Sequence, residues 1–340
     1  MTLRDVARAA EVHPGTASKA LNEATRDRVA PGTVRRVLAA AERLGYQPNT
    51  FARGLRTRRS YAVGVVLPDL ANPLFPPIVR GVEKLLAKAG YATLIVDTDN
   101  DPAAEERLLA MLRARHADGF IIATARREHP VVEKAVADGV PMVLVNRLTD
   151  AALVPAVAGD EVAGISSAVE HLVSLGHRRI GHLAGPQDLS TGFGRYRAFL
   201  DAIQRFELAA ADCPIAFADA YNEAAGLQAA RGMLAAPVPP TAIMAGNDLI
   251  ALGCLDAMAE VGLNCPADVS VIGFNDLPML ARLDPPLTTV HLPQEDIGAE
   301  AAKLLLDCIN EPGGSAKRLL LPCHLTVRGS TASPMPPRPR

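Results

Sequence analysis

Tryptophan is absent from the 340-residue sequence and aromatic residues make up only 4% of it, so each ring lying near polar residues stands out as a candidate contact surface. The five cysteines, Cys213, Cys254, Cys265, Cys308 and Cys323, are odd in number, widely spaced and without a Cys-x-x-Cys pair. A disulfide framework and a structural zinc are therefore not expected, and the thiols read as small core residues in a reducing cytoplasm. No run approaches the eighteen apolar residues of a membrane helix, and polar Thr2, Arg4 and Asp5 interrupt the opening. Neither membrane spanning nor secretion is expected, and the implied location is cytoplasmic. What is present is 49% apolar residues, enough to fill the cores of two or three domains at this length.

The first twenty-two residues read as two short helices joined by a tight turn. Thr2 and Asp5 have the spacing of a capping box, and Leu3, Val6 and Ala10 give a buried face to a helix over about 3–10. Pro14 suits the first position of a second helix ending near Asn22, in which Ala17, Ala20 and Leu21 pack inward. Gly15, Thr16, Ser18 and Lys19 are left on the other side or at the N-terminus, where a helix-turn-helix reads the DNA major groove. An ordinary helical hairpin in a core has the same local pattern. A third helix opens at Pro31, carries the apolar stripe Val34, Val37, Leu38, Ala41 and Leu44, and is capped by Gly45.

Charge separates this end from the rest. Residues 1–60 hold 12 Lys and Arg against 5 Asp and Glu, a net +7, while the whole chain is −2 and the remainder therefore −9. A positive excess confined to one small end is an electrostatic footprint for a polyanion. Arg53, Arg56, Arg58 and Arg59 crowd a segment that reads either as a solvated linker or, beside a DNA-reading module, as a phosphate-contacting one.

From Tyr61 onward, Val- and Ile-rich runs at 62–67, 92–97, 119–123, 141–146, 180–184, 242–245 and 269–274 alternate with helical patterns at 77–88, 103–115, 131–138, 164–175, 249–261 and 297–310. Repeated strand–helix alternation means parallel sheets covered by helices, and this many strands fit two α/β subdomains better than one sheet. Ligands of open parallel sheets bind beyond the carboxyl ends of the strands. Polar residues follow several of the strands: Asp69 and Asn72, Asn146-Arg147, Asn247-Asp248 and Asn275-Asp276. Any one pair is also what a turn or a helix cap requires; several on one edge point to a polar ligand site. His177 and His182 flank a strand without a nucleophile or metal-ligand spacing, so no catalytic chemistry is read from them.

Taken together, Thr2-Leu3-Arg4-Asp5-Val6-Ala7, Thr16-Ala17-Ser18-Lys19-Ala20-Leu21-Asn22, Gly45-Tyr46-Gln47-Pro48-Asn49, Leu175-Gly176-His177-Arg178-Arg179-Ile180, Leu183-Ala184-Gly185-Pro186, Asp268-Val269-Ser270-Val271-Ile272-Gly273-Phe274 and Pro285-Pro286-Leu287-Thr288-Thr289-Val290 closely resemble the LacI/GalR family of bacterial transcriptional regulators over nearly the full chain. The resemblance implies an all-α helix-turn-helix headpiece (1–46), a hinge helix and linker (47–60), and an α/β core of two parallel-sheet subdomains like periplasmic sugar-binding proteins (61–332). Residues 333–340, proline-rich and without a heptad, are expected to be a disordered tail.

It further implies a homodimer on a pseudo-palindromic operator, a small polar effector such as a sugar or sugar derivative, no cofactor, no metal and no enzymatic activity. On the DNA side it points to His13, Thr16, Ser18, Lys19, Asn22, Asn49, Arg53 and Leu55, with Leu55 as a minor-groove wedge or, alternatively, a packing contact. On the effector side it points to Asn72, Phe75, Asn146, Arg147, Thr191, Arg195, Tyr221, Asn247, Asp248 and Asn275. Arg195-Tyr196-Arg197-Ala198-Phe199 matches the family's Arg-x-x-Gly-Phe pattern apart from Ala198.

The departures are informative. Glu11 stands where the turn between the first two helices usually carries glycine, and it is strained if the backbone needs positive φ. Pro14 and Gly15 take early recognition-helix positions without a hydrogen-bonding side chain, and Lys19 replaces an arginine that would match guanine in two prongs. Site choice is therefore expected to rest heavily on the hinge and on DNA shape. Asn275 replaces a frequent Asp, leaving the pocket one negative charge poorer. A plain solute-binding protein is the alternative for the α/β part alone, and the +7 end argues against it.

Overall fold

The computed structural model describes residues 1–46, 59–311 and 313–335, without the side chains of residues 23 and 24. The chain divides into two compact units, Met1–Ser60 and Tyr61–Arg340. The hinge residues Asn49, Arg53 and Leu55 lie outside the described residues, as do the last five of the expected tail.

In the first unit α1 (Leu3–Ala9), α2 (Pro14–Leu21) and α3 (Pro31–Arg43) enclose a core of Val6, Ala7, Ala10, Ala17, Ala20, Val34, Val37, Ala40 and Ala41. Alanines dominate this core, so the helices meet at close range without long side chains between them. The Thr2/Asp5 capping box is formed in both directions and sets the start of α1. Glu11 has φ +53°, so a side chain occupies the left-handed turn position that glycine would fill without strain. A 3₁₀ turn over Glu23–Arg28, not anticipated from the sequence, links α2 to α3. It satisfies the end of α2: the Thr25 hydroxyl donates to the Lys19 carbonyl at 3.0 Å and Arg26 Nε to the Ala20 carbonyl at 3.2 Å.

The second unit contains two six-stranded sheets. The first is built from β1 (Ala62–Leu67), β2 (Ala92–Asp97), β3 (Gly119–Ile122), β4 (Met142–Val145), β5 (Ala156–Gly159) and β11 (Arg318–Leu321), in the order β11-β5-β4-β3-β1-β2, every pair parallel. The second comprises β6 (Ile180–Ala184), β7 (Ile215–Phe217), β8 (Ala242–Ala245), β9 (Ser270–Asn275), β10 (Thr288–His291) and β12 (His324–Thr326), in the order β12-β10-β9-β8-β6-β7, with β12 antiparallel to β10. Helices α4 (Phe75–Lys88), α5 (Pro102–Ala114), α6 (Pro130–Ala137), α7 (Glu161–Ser174), α8 (Ser190–Arg205), α9 (Glu223–Leu234), α10 (Asp248–Glu260) and α11 (Gln294–Asn310) form the crossovers. The chain passes between the sheets after β5, after β10 and again between β11 and β12, which ties the two subdomains together at one side of a cleft.

Strand interiors such as Val63–Leu67 and Ser270–Asn275 are fully buried, as expected of parallel sheets covered on both faces. Helices α4 and α11 cross backbone to backbone at Gly81 and Gly298: a Cβ on either would overlap a carbonyl oxygen of the other helix, Glu295 O or Ile78 O. Among the described residues no helix is long and apolar enough to cross a membrane.

Candidate functional site

A cavity lies where the carboxyl ends of both parallel sheets face one another. It is lined by Asn72, Leu74 and Phe75 after β1, Asn146 and Arg147 after β4, Thr191 and Arg195 on α8, Tyr221 before α9, Asn247 after β8 and Asn275 at the end of β9. Nine of the ten effector residues expected from the sequence thus share one cavity, and Leu74 is an addition.

Asp248 is placed apart from these nine. It is completely buried and does not line the cavity; its carboxylate accepts the Thr289 hydroxyl at 2.6 Å and the Leu277 N–H at 2.8 Å. Burial pushes its pKa up to about 6 against those two bonds. Asn247 caps α10 through its side-chain oxygen and Asp248 begins that helix, so two adjacent polar residues serve different neighbours.

Arg195, 2% exposed, is anchored on four sides. Its Nε and Nη2 lie 2.8 and 2.7 Å from Glu161 Oε1, Nη1 donates to the Gly246 carbonyl at 2.7 Å, and the guanidinium stacks 3.8 Å over the Phe274 ring. Burial works against its charge, but the Glu161 carboxylate outweighs that and lifts the guanidinium's pKa, so the arginine enters the cavity wall fixed and charged. Glu161, in the first turn of α7, went unnoticed in the sequence because it lies 34 residues from its partner. The Tyr221 hydroxyl donates to Thr191 Oγ1 at 3.2 Å, and its ring rests on Gly185, where a Cβ would collide with it.

Two lining asparagines hold positive φ, Asn146 at +63° and Asn275 at +122°. Such strain is retained where surrounding contacts over-determine it. At Asn275 one of those contacts is Gln294, whose Nε2 donates to its carbonyl at 2.6 Å. The two subdomains are clasped at the mouth: the Arg127 N–H donates to the Asp188 carbonyl at 2.9 Å, Arg127 lies 3.8 Å over the Phe193 ring and Arg126 pairs with Asp188. The Leu148 N–H also donates to Ser190 Oγ at 2.7 Å, so the cleft is closed.

His177 and His182 are buried and structural. His177 joins the Thr241 hydroxyl and the Ala332 carbonyl, each at 2.8 Å; His182 stacks on Phe199 and bonds the Met244 carbonyl at 2.8 Å, and burial lowers its pKa to about 4.

In the first unit His13 and Lys19 are exposed, and Thr16 and Ser18 half-buried, on the side of α2 away from its alanines. His13 Nδ1 accepts the Gly15 N–H at 3.1 Å and so caps the helix, which leaves Nε2 as its outward group. Asn22 is the C-terminal cap residue of α2.

Residues 2–49 match the model of the bacterial regulatory proteins, lacI family, and residues 169–331 that of a periplasmic binding protein-like domain. The HTH-type transcriptional repressor CytR of Escherichia coli (strain K12) is 34% identical over 337 residues, covering 97% of this chain and 96% of that protein. The ribose operon repressor of Halalkalibacterium halodurans is 32% identical over 330 residues, covering 97% of each. Among solved structures, the lac repressor dimer bound to operator and the anti-inducer ONPF superposes with a TM-score of 0.84 at 28% identity, covering 98% of this chain and 99% of that one.

Proposed function

This chain belongs to the LacI family of bacterial regulatory proteins, and from that premise we propose that it is a cytoplasmic repressor whose dimer grips an operator until a small polar effector, a sugar or sugar derivative, alters that grip. The observation that carries the effector half is the single cavity at the subdomain junction that gathers Asn72, Phe75, Asn146, Arg147, Thr191, Arg195, Tyr221, Asn247 and Asn275. A ligand changes operator affinity only by binding one arrangement of the subdomains better than the other, and residues drawn from both sheets make this cavity sensitive to their spacing. The DNA half rests on α2 with His13, Thr16, Ser18 and Lys19 on its outer side and on the +7 charge of residues 1–60.

The test is fluorescence anisotropy on DNA from upstream of its own and neighbouring genes against random DNA, across a range of salt. Saturable preference with affinity falling steeply as salt rises is expected, because phosphate contacts release counterions. Equal binding to random DNA overturns the reading.

Base reading by α2 is sparse, with Pro14 and Gly15 at its start, so the choice of site is assigned mainly to the hinge. Leu55→Ala is expected to bring operator binding close to the random-DNA level. Lys19→Ala is expected to cost about 1 kcal/mol, the low end of the range for a good two-pronged base contact. A Leu55→Ala protein that still discriminates, beside a Lys19→Ala protein that does not, reverses the assignment.

A further inference from the structure

The cavity carries an imbalance of charge and an unpartnered acceptor that narrow its ligand. Among the described residues no carboxylate lines it. Arg195 has Glu161 as its counterion, whereas the guanidinium of Arg147, a residue 7% exposed, makes no ion pair or hydrogen bond among the described residues. The acids around Arg147 are engaged elsewhere: Glu105 accepts the Thr124 hydroxyl at 2.5 Å and faces His129 Nε2 at 3.3 Å, and Asp188 pairs with Arg126. Desolvation pulls the Arg147 pKa down to about 10, which leaves the group charged at neutral pH in a place that disfavours charge.

Amide donors also face the cavity. The side-chain oxygen of Asn72 accepts the Leu74 N–H at 3.0 Å and that of Asn247 the Ile250 N–H at 2.9 Å, so each has its NH₂ group left to offer a ligand. Beside them Asn275 Oδ1 is a buried acceptor without a partner. A buried polar atom left unpaired is destabilising, and a ligand hydroxyl would satisfy it.

The structure assigns this cavity to an anionic polyol, its acid group on Arg147 and a hydroxyl donating to Asn275 Oδ1. The assignment rests on the reading of the cavity as the effector site. It names the acid chemistry, which a carboxylate or a phosphoryl group can supply.

Isothermal calorimetry on the full chain with matched probes decides it: D-galactose against D-galacturonate, D-glucose against D-glucuronate, D-ribose against D-ribonate, with D-ribose 5-phosphate and D-glucose 6-phosphate as the phosphoryl arm. At least one acid is expected to bind about tenfold or more tighter than its neutral partner, the worth of a charge-assisted hydrogen bond. Arg147→Gln is expected to abolish that preference. The same substitution is expected to raise the ligand-free melting temperature by about 2–4 °C, because a buried cation without a counterion is removed, so loss of binding through misfolding is told apart. Equal or tighter binding of the neutral sugars overturns the assignment. So does an acid preference that survives in Arg147→Gln, and so does failure of every acid to bind at millimolar concentration. Operator release by neutral sugars in the same preparation would leave the regulator reading standing while the charge assignment falls.

Discussion

Glu161→Leu is expected to destabilise the second unit by about 3–5 kcal/mol and to abolish the response to effector. Removing one partner of a buried pair leaves the other charge uncompensated, which is far more damaging than losing the attraction itself. Here the abandoned group is Arg195, 2% exposed, which would keep only the Gly246 carbonyl and the face of Phe274. The comparison that identifies the cause is the double replacement Glu161→Leu with Arg195→Met. Once both charges leave together, stability in urea is expected to return to within about 1–2 kcal/mol of the parent, in line with apolar replacements of buried ion pairs. Effector response is expected to stay lost, because the cavity wall then lacks its anchored guanidinium. A double variant as unstable as the single one would show that Glu161 acts through packing, and one that still responds to effector would remove Arg195 from the site.

That pair also marks the limit of what the sequence reveals. Arg195 was legible because it opens a local pattern with Phe199, whereas Glu161 looks like any acid in the first turn of a helix, and the apolar periodicity begins only at Gly164. Long amphipathic helices and Val/Ile-rich strands were visible because each carries its own period. Helix α8 was not, since Gly192 and Gly194 interrupt its pattern, nor was α9, whose face is mostly Ala and Gly because it packs closely on α10, a Cβ on Gly226 striking the Ile250 carbonyl. Strands β5, β7, β10, β11 and β12 have three or four residues each and lack the Val- and Ile-rich run that marks the equally short β3 and β4. Their positions follow from pairing across the sheet, which is set by tertiary structure.

Asp248→Asn is expected to make the protein more stable at neutral pH and to flatten its pH dependence between about pH 4 and 6. The Asp248 carboxyl lies at about 6 in the fold against 3.8 for the ordinary group, burial being the largest cause. Between those values the folded chain holds a proton that the unfolded chain releases. The stabilisation from that proton is therefore fully present below about pH 3.8 and lost as pH rises through about 6, and a carboxyl displaced that far gives a swing of about 3 kcal/mol. Asparagine has the same shape and keeps both bonds: its oxygen accepts the Leu277 N–H, and its NH₂ donates to the Thr289 hydroxyl, which can accept as well as donate. No charge then has to be buried at pH 7. Urea unfolding of both proteins at about pH 4.5 and 7.5, on either side of the folded-state pKa, measures the difference, and identical pH dependence would show that Asp248 is not the titrating group. Asp248→Ala is the complementary case, because it strands the Leu277 N–H two residues beyond Asn275 and should weaken effector binding as well as stability. If Asn restores binding where Ala loses it, Asp248 acts on the cavity by fixing the loop that carries Asn275, and its charge is incidental to recognition.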